Sequence, residues 1–243
     1  HNANATGDEI RSIVIDIAAT PAENRKKKLL LADMDSTMIG QECIDELADA
    51  AGVGEQVADI TARAMNGELD FEGALIERVA LLKGVDQGLI GTVLNERIKL
   101  ARGGKTLVAT MKANGAYAAL VSGGFVQFTN AVASALGFDE HRANRLIEGA
   151  GTLMGEVARP ILGREAKVDT LRDLTAKLEI TSADVLAVGD GANDLGMIGA
   201  AGMGVALHAK PVVAAAAPVR IDHADLTTLL YLQGYSRDEF VMA

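Results

Sequence analysis

The chain has 243 residues, a formal charge of −10 and a hydrophobic fraction of 49%, with five Phe, three Tyr and no Trp. That length accommodates one substantial core and a smaller second domain built mainly on Ala, Val, Leu and Ile. The negative balance excludes general attraction to nucleic acid or anionic lipid, which requires clustered Lys and Arg.

Cys43 is the only cysteine, so no internal disulfide can form and a cytoplasmic location is expected. The chain begins at His1 rather than Met, so a signal peptide cannot be assessed. Residues 1–24 are read as the remnant of a removed domain or a tag-proximal segment, in which Ile13, Ile15 and Ile17 alternate as a strand would. After the basic patch Arg25 to Lys28, the apolar run Leu29 to Ala32 predicts a strand. From Glu42 to about Leu100 the pattern is helical, with Ile44, Leu47, Ala48 and Ala51 spaced at three and four. Asp70 is the expected N-cap of one helix, with Gly67 and Gly84 as flanking turns. Four short helices here predict a cap domain over 42–100, inserted into a core formed by 25–41 and 101–243. Gly40 and Ala101 to Gly104 are its expected hinges.

Beyond Gly103 strands and helices alternate. A helix to Asn114, a strand Ala116 to Val121, a helix Phe125 to Leu136 and a hairpin within Arg145 to Val157 are expected first. Then follow a helix Glu165 to Leu178, a strand Val185 to Val188, a helix Asp194 to Ala201, and strands near Gly204 to Leu207 and Val219 to Ile221. This is an α/β pattern with a Rossmann-like parallel sheet, whose ligands belong at the carboxyl ends of the strands. The longest apolar run, Leu195 to Leu207, holds four glycines and is too short to span a bilayer.

Chemistry concentrates at three of those strand ends. Asp33 and Asp35, two residues apart in DMDST, project to the same side of an extended segment. Two such carboxylates resist joint ionisation unless a cation holds one of them, which suits a metal-bound nucleophile beside a general acid. Ser122 with Gly123 and Gly124 looks like a cradle for an anion. In VGDGANDLG, Asp190 and Asp194 stand four apart at a helix start and can face one ion, and their hard oxygens suit magnesium. Lys167, on the helix after the hairpin, gains interest only from this company.

DMDST, SGG, a Lys and GDGAND in this order closely resemble the four motifs of the haloacid dehalogenase superfamily, from about Lys28 to the C-terminus. QECIDELADAAG, ITARAMNGELDFEGALIERVALLKG, LVSGGF, ANRL and ALHAKP resemble the branch of that superfamily that acts on phosphoserine, in the last step of serine biosynthesis. The resemblance implies that Asp33 becomes phosphorylated and that Asp35 protonates the leaving oxygen and later activates water. It implies Mg2+ held by Asp33, Asp190 and the backbone carbonyl of Asp35, with Asp194 in support, and a phosphoryl group bound by Ser122, Gly123, Lys167 and Asn193. It makes Glu42 the acceptor of the substrate ammonium and Arg78 the fork for its carboxylate, with Met65 and Phe71 on the apolar side of the pocket. A small phosphomonoester, O-phospho-L-serine, is then the substrate, with no nucleic-acid or membrane partner, and a homodimer stays open. Two rival readings also remain open: transfer of the phosphoryl group to another alcohol such as homoserine, and a phosphoaspartate receiver or non-catalytic phosphoserine-binding module.

Overall fold

The computed structural model describes residues 15–242. Strand β1 (Leu29–Ala32) is completely buried and pairs in parallel with β2 (Tyr117–Phe125) on one side and β6 (Val185–Gly189) on the other. With β3 (Glu140–Asn144), β7 (Met203–Leu207) and β8 (Val219–Ile221) these form one six-stranded parallel sheet, ordered β3-β2-β1-β6-β7-β8. Burial on both faces explains the continuous LLLA run, since a central parallel strand has no solvent side. Leu30 and Ala32 face one layer of the core, while Leu29 and Leu31 face the other beside Leu171 and Leu174.

From β1 the chain moves outward to β2 and β3 and then returns to β6 on the other side, so β1 sits at the reversal of strand order. Ala32 lies opposite both Leu120 and Val188. Asp33 and Asp190, just beyond their strands, and Ser122, still within β2, therefore lie at the carboxyl ends of adjacent strands at nearly one level, where open α/β sheets bind ligands.

Four helices intervene between β1 and α5 (Gly104–Ala113): α1 (Cys43–Ala50), α2 (Gly54–Met65), α3 (Phe71–Ala80) and α4 (Gly88–Glu96). Asp70 caps α3, its carboxylate accepting from the Gly73 amide at 2.7 Å. The chain enters and leaves this segment through adjacent stretches, Gly40 N–H donating to Lys99 and Ala101 N–H to Met38. A hairpin, β4 (Leu146–Gly149) and β5 (Thr152–Val157), stands apart from the main sheet. It bonds to the turn after α3 through Gly84 to Leu153, Leu153 to Val85 and Gln87 to Gly151.

The sheet side holds α6 (Val126–Leu136), α7 (Arg164–Lys177), α8 (Leu195–Ala200), α9 (Pro211–Ala216) and α10 (Thr228–Leu232). Several details depart from expectation. β2 does not stop at Val121 but stays extended to Phe125, with its register to β3 shifting between those residues; glycines without Cβ allow this bulge to continue as strand. β3, α9 and α10 were not expected at all. Ile13 lies outside the described residues, and Ile15 and Ile17 are 51% and 75% exposed and belong to no strand. Asp16 explains this: its carboxylate accepts the amides of Asp222, His223 and Ala224 at 2.8, 3.1 and 2.8 Å, committing the segment to a loop.

Gly103 adopts φ +78°, and a Cβ there would lie 2.7 Å from the Thr227 nitrogen, so this expected hinge position is tightly packed and no proline can occupy it. Gly40 has open space around its Cα hydrogen and an ordinary φ. In urea unfolding Gly103→Ala should cost about 1–3 kcal/mol, and Gly40→Ala should cost no more than about 0.5 kcal/mol.

Candidate active site

At the strand ends, Lys167 of α7 is 2% exposed and held between two acids: its ammonium is 2.8 Å from Asp33 Oδ1 and 2.5 Å from Asp194 Oδ1. Asp33 Oδ1 also accepts the Met34 amide at 2.8 Å. Among the described residues no protein donor reaches Asp33 Oδ2. Both oxygens of Asp194 are occupied, since Oδ2 accepts the Gly191 amide at 2.9 Å. Asp35 accepts the Cys43 amide on Oδ1 at 2.9 Å and the Ser122 hydroxyl on Oδ2 at 3.0 Å, and Ser122 Oγ in turn accepts the Gly124 amide at 2.8 Å.

The glycines around Asp190 serve close approach rather than positive φ. A Cβ on Gly189 would fall inside the Asp194 carboxylate, and one on Gly191 would strike the Asn193 side chain. Asp190 precedes a single tight turn, Ala192 to Asp194, and α8 begins only at Leu195.

A cavity of about 430 Å³ lies between these strand ends and the helical segment. Asp33, Asp35, Ser122, Gly123, Asp190 and Asn193 line one wall, while Glu42, Arg78, Met65 and Phe71 line the other. Lys167 and Asp194 stand behind Asp33 rather than in the wall. Phe71 reaches across, so that a Cβ on Gly123 would approach its ring to 3.2 Å. The structure thus brings together every residue singled out at the three motifs and in the helical segment.

Residues to which the sequence assigned no role complete the site. Thr37 donates to Asp190 Oδ1 at 3.1 Å, and Ser36, at φ +54°, donates to Glu42 at 2.7 Å. Asp45 joins Glu42 opposite Arg78 in the cavity wall. Asn144, buried at the end of β3, donates to the Gly123 and Leu162 carbonyls at 2.8 and 3.1 Å and accepts the Leu162 amide at 2.7 Å. Only the ANRL resemblance touched Asn144, without a role.

Burial raises the pKa of Asp33 well above the usual range, with Asp194 and Asp35 adding to the rise and Lys167 opposing it. Burial and then Glu42 raise that of Asp35 against the Cys43 and Ser122 hydrogen bonds. Asp190 is raised to about 6 by burial, Asp194 and Glu42. For Lys167 burial works against the charge, but Asp33 and Asp194 outweigh it and hold the ammonium protonated. Burial lowers the pKa of Arg78, with Asp45 and Glu42 pulling the other way. Burial also raises that of the Cys43 thiol, which stays neutral.

Asp33, Asp190 and Asp194 each offer a carboxylate oxygen within 4.8 Å of the others, a cluster that could hold a metal ion. The donor set fits a hard divalent cation, being all oxygen, buried and in excess of the available positive charge.

A parallel α/β sheet with clustered acids at its reversal point, facing a helical segment across a cavity, is the architecture of a class of hydrolases. The family model for haloacid dehalogenase-like hydrolases matches residues 30–198. A phosphoserine phosphatase of Lactococcus lactis is 42% identical over 204 residues, covering 84% of this chain and 94% of that protein. One of Streptomyces coelicolor is 43% identical over 237 residues, covering 97% of this chain, which spans 58% of that longer relative. A solved structure described as a phospho-aspartyl intermediate analogue of phosphoserine phosphatase superposes with a TM-score of 0.78 at 40% identity, covering 85% of this chain and 98% of that one. The chain belongs to the haloacid dehalogenase-like hydrolases. Within that family it groups with the phosphoserine phosphatases. Among the described residues, no helix is long and apolar enough to cross a membrane.

Because Asp190 titrates near 6 in the fold and near 3.8 when unfolded, the folded state holds more protons in that window and metal-free stability falls as pH rises through it. Asp190→Asn should therefore raise the metal-free melting temperature at pH 7, by about 2–4 °C per kcal/mol relieved. The gain should vanish below about pH 3, where the wild-type carboxyl is protonated in both states, and any stabilisation by an added divalent cation should be lost. Melting curves across pH, with and without Mg2+, check this.

Proposed function

We propose that the chain hydrolyses O-phospho-L-serine to L-serine and phosphate through an aspartyl-phosphate on Asp33, with Mg2+ as cofactor. The observation that carries the reading is one cavity with two chemically distinct walls. One wall gathers the buried acids, a hydroxyl and glycine amides suited to a phosphoryl group, and the other pairs Glu42 with Arg78. A zwitterionic amino acid needs one negative and one positive partner, and Arg offers a carboxylate its bidentate geometry.

In this reading Asp33, Asp190 and the Asp35 carbonyl hold the metal, and Asp194 steadies Asp33 through Lys167. Bound there, Mg2+ would neutralise phosphoryl oxygen charge. Asp33 Oδ2, the oxygen without a protein donor, attacks phosphorus, while Lys167 keeps the carboxylate ionised and oriented. Asp35, whose pKa is raised by burial and Glu42, carries the proton to the departing serine oxygen and then takes one from the water that opens the acyl phosphate. Ser122, the Gly123 amide and Asn193 position the phosphoryl oxygens, so most of the catalysis is placement and electrostatics. The helical segment acts as the cap, with Met65 and Phe71 closing the apolar side and excluding water from the first displacement. A cytoplasmic location belongs to the same reading, in keeping with a single buried thiol.

Phosphate release with Mg2+ should favour L-phosphoserine over phosphothreonine. Arg78→Ala should lower kcat/KM about tenfold to 150-fold, the loss of charge-assisted hydrogen bonds worth about 1.5–3 kcal/mol. Asp33→Asn should abolish turnover. Full activity in that variant, confirmed free of deamidation, would refute the covalent route.

A further inference from the structure

Asn144 lies outside the cavity, yet a single line of hydrogen bonds joins it to Asp35. Where β2 and β3 lose register between Val121 and Phe125, with Phe125 opposite Asn144, the bulged Gly123 carbonyl has no ladder partner. A buried carbonyl without a donor is costly, and the Asn144 side chain supplies the donor at 2.8 Å. That carbonyl belongs to the Gly123–Gly124 peptide, whose N–H, on Gly124, donates to Ser122 Oγ at 2.8 Å. Ser122 then donates to Asp35 Oδ2 at 3.0 Å. Every link runs in the same direction, from amide to carbonyl, from peptide N–H to hydroxyl, from hydroxyl to carboxylate, so each polarises the next.

The orientation of the Asn144 amide is determined by its partners. Its nitrogen faces the two carbonyls of Gly123 and Leu162 and its oxygen faces the Leu162 amide, so a flipped amide would set oxygen against oxygen. The same side chain therefore ties the Ser122 bulge to the segment that leads into α7, the helix bearing Lys167.

We propose that Asn144 is a positioning residue for the reaction: it fixes the plane of the Gly123–Gly124 peptide and thereby holds Ser122 and the Asp35 carboxyl in their working orientation. This rests on the phosphoserine phosphatase reading, with Asp35 as general acid and base. Asn144 touches no reacting atom, and its effect passes through Ser122.

A double-mutant cycle on turnover of L-phosphoserine tests it, with a cooperative thermal melt required of each variant. Asn144→Ala should lower kcat about tenfold to a hundredfold, the scale of a misplaced catalytic group, with KM within about twofold. In the Ser122→Ala background the same substitution should cost less than about twofold, because the relay is already cut. Where Asn144→Ala does not fold, Asn144→Asp replaces it, keeping an acceptor for the Leu162 amide while removing the donor to Gly123. Losses that add across the cycle, a loss carried by KM, or an unchanged kcat would overturn the proposal. Wild-type protein that releases no phosphate from L-phosphoserine would instead sink the functional reading, before any variant is compared.

Discussion

A buried ammonium held between two buried carboxylates is the constraint on which the rest of this structure depends. Lys167 lies 2.8 Å from Asp33 and 2.5 Å from Asp194, and taking such charges out of water costs several kcal/mol for each ion unless the geometry returns it. One cation cannot balance Asp33, Asp194, Asp35 and Asp190 together. Burial first, and neighbouring carboxylates after it, hold three of these groups, Asp33, Asp35 and Asp190, above ordinary carboxylate pKa values. A bound divalent cation would relieve that excess and make an anionic phosphoryl group welcome in a chain of net charge −10. In the proposed reaction this excess of negative charge is thus the source of the site's affinity for metal.

Strand order converts this charge arrangement into a reactive site. With β1 between β2 and β6, acids and hydroxyls from distant stretches meet without long loops, and the rigid sheet holds them in register. The helical segment contributes the other half, a wall lined by Glu42, Asp45 and Arg78, which in the proposed reaction receives the amino-acid zwitterion. Division between a strand-end wall for phosphoryl chemistry and a helical wall for recognition is what the proposed function uses. The hairpin joins them structurally, being bonded to the turn after α3 while its two ends are tied by the Ala158 amide donating to the Arg145 carbonyl, next to Asn144 in the chain.

Much of this was legible in the chain because buried parallel strands advertise themselves as short apolar runs, and the acids follow them directly. LLLA then Asp33, and VLAVG then Asp190, needed only a parallel register to bring the two carboxylates together. β3 was invisible for the opposite reason: EHRAN has no apolar alternation, being an edge strand laddered to β2 whose Glu140 and Arg142 pair with Lys177 and Asp173. α10 is only five residues long, too short for any period to show. Lys167 read by itself as a surface lysine, since nothing local reveals that two acids surround it. Ser36 and Thr37 stand inside DMDST and Asn144 inside ANRL, yet none acquired a role there, because a polar side chain that satisfies one particular backbone or carboxylate oxygen carries no pattern along the sequence.

The central claim is that this buried arrangement makes Asp33, and no neighbouring acid, the group that takes the phosphoryl. Protein quenched in acid during turnover of L-phosphoserine, reduced with borohydride to convert an acyl phosphate into an alcohol, and mapped by peptide mass spectrometry tests it most directly. The account predicts conversion at Asp33 alone. Conversion at Asp35, Asp190 or Asp194, or efficient turnover with no residue converted, would contradict it.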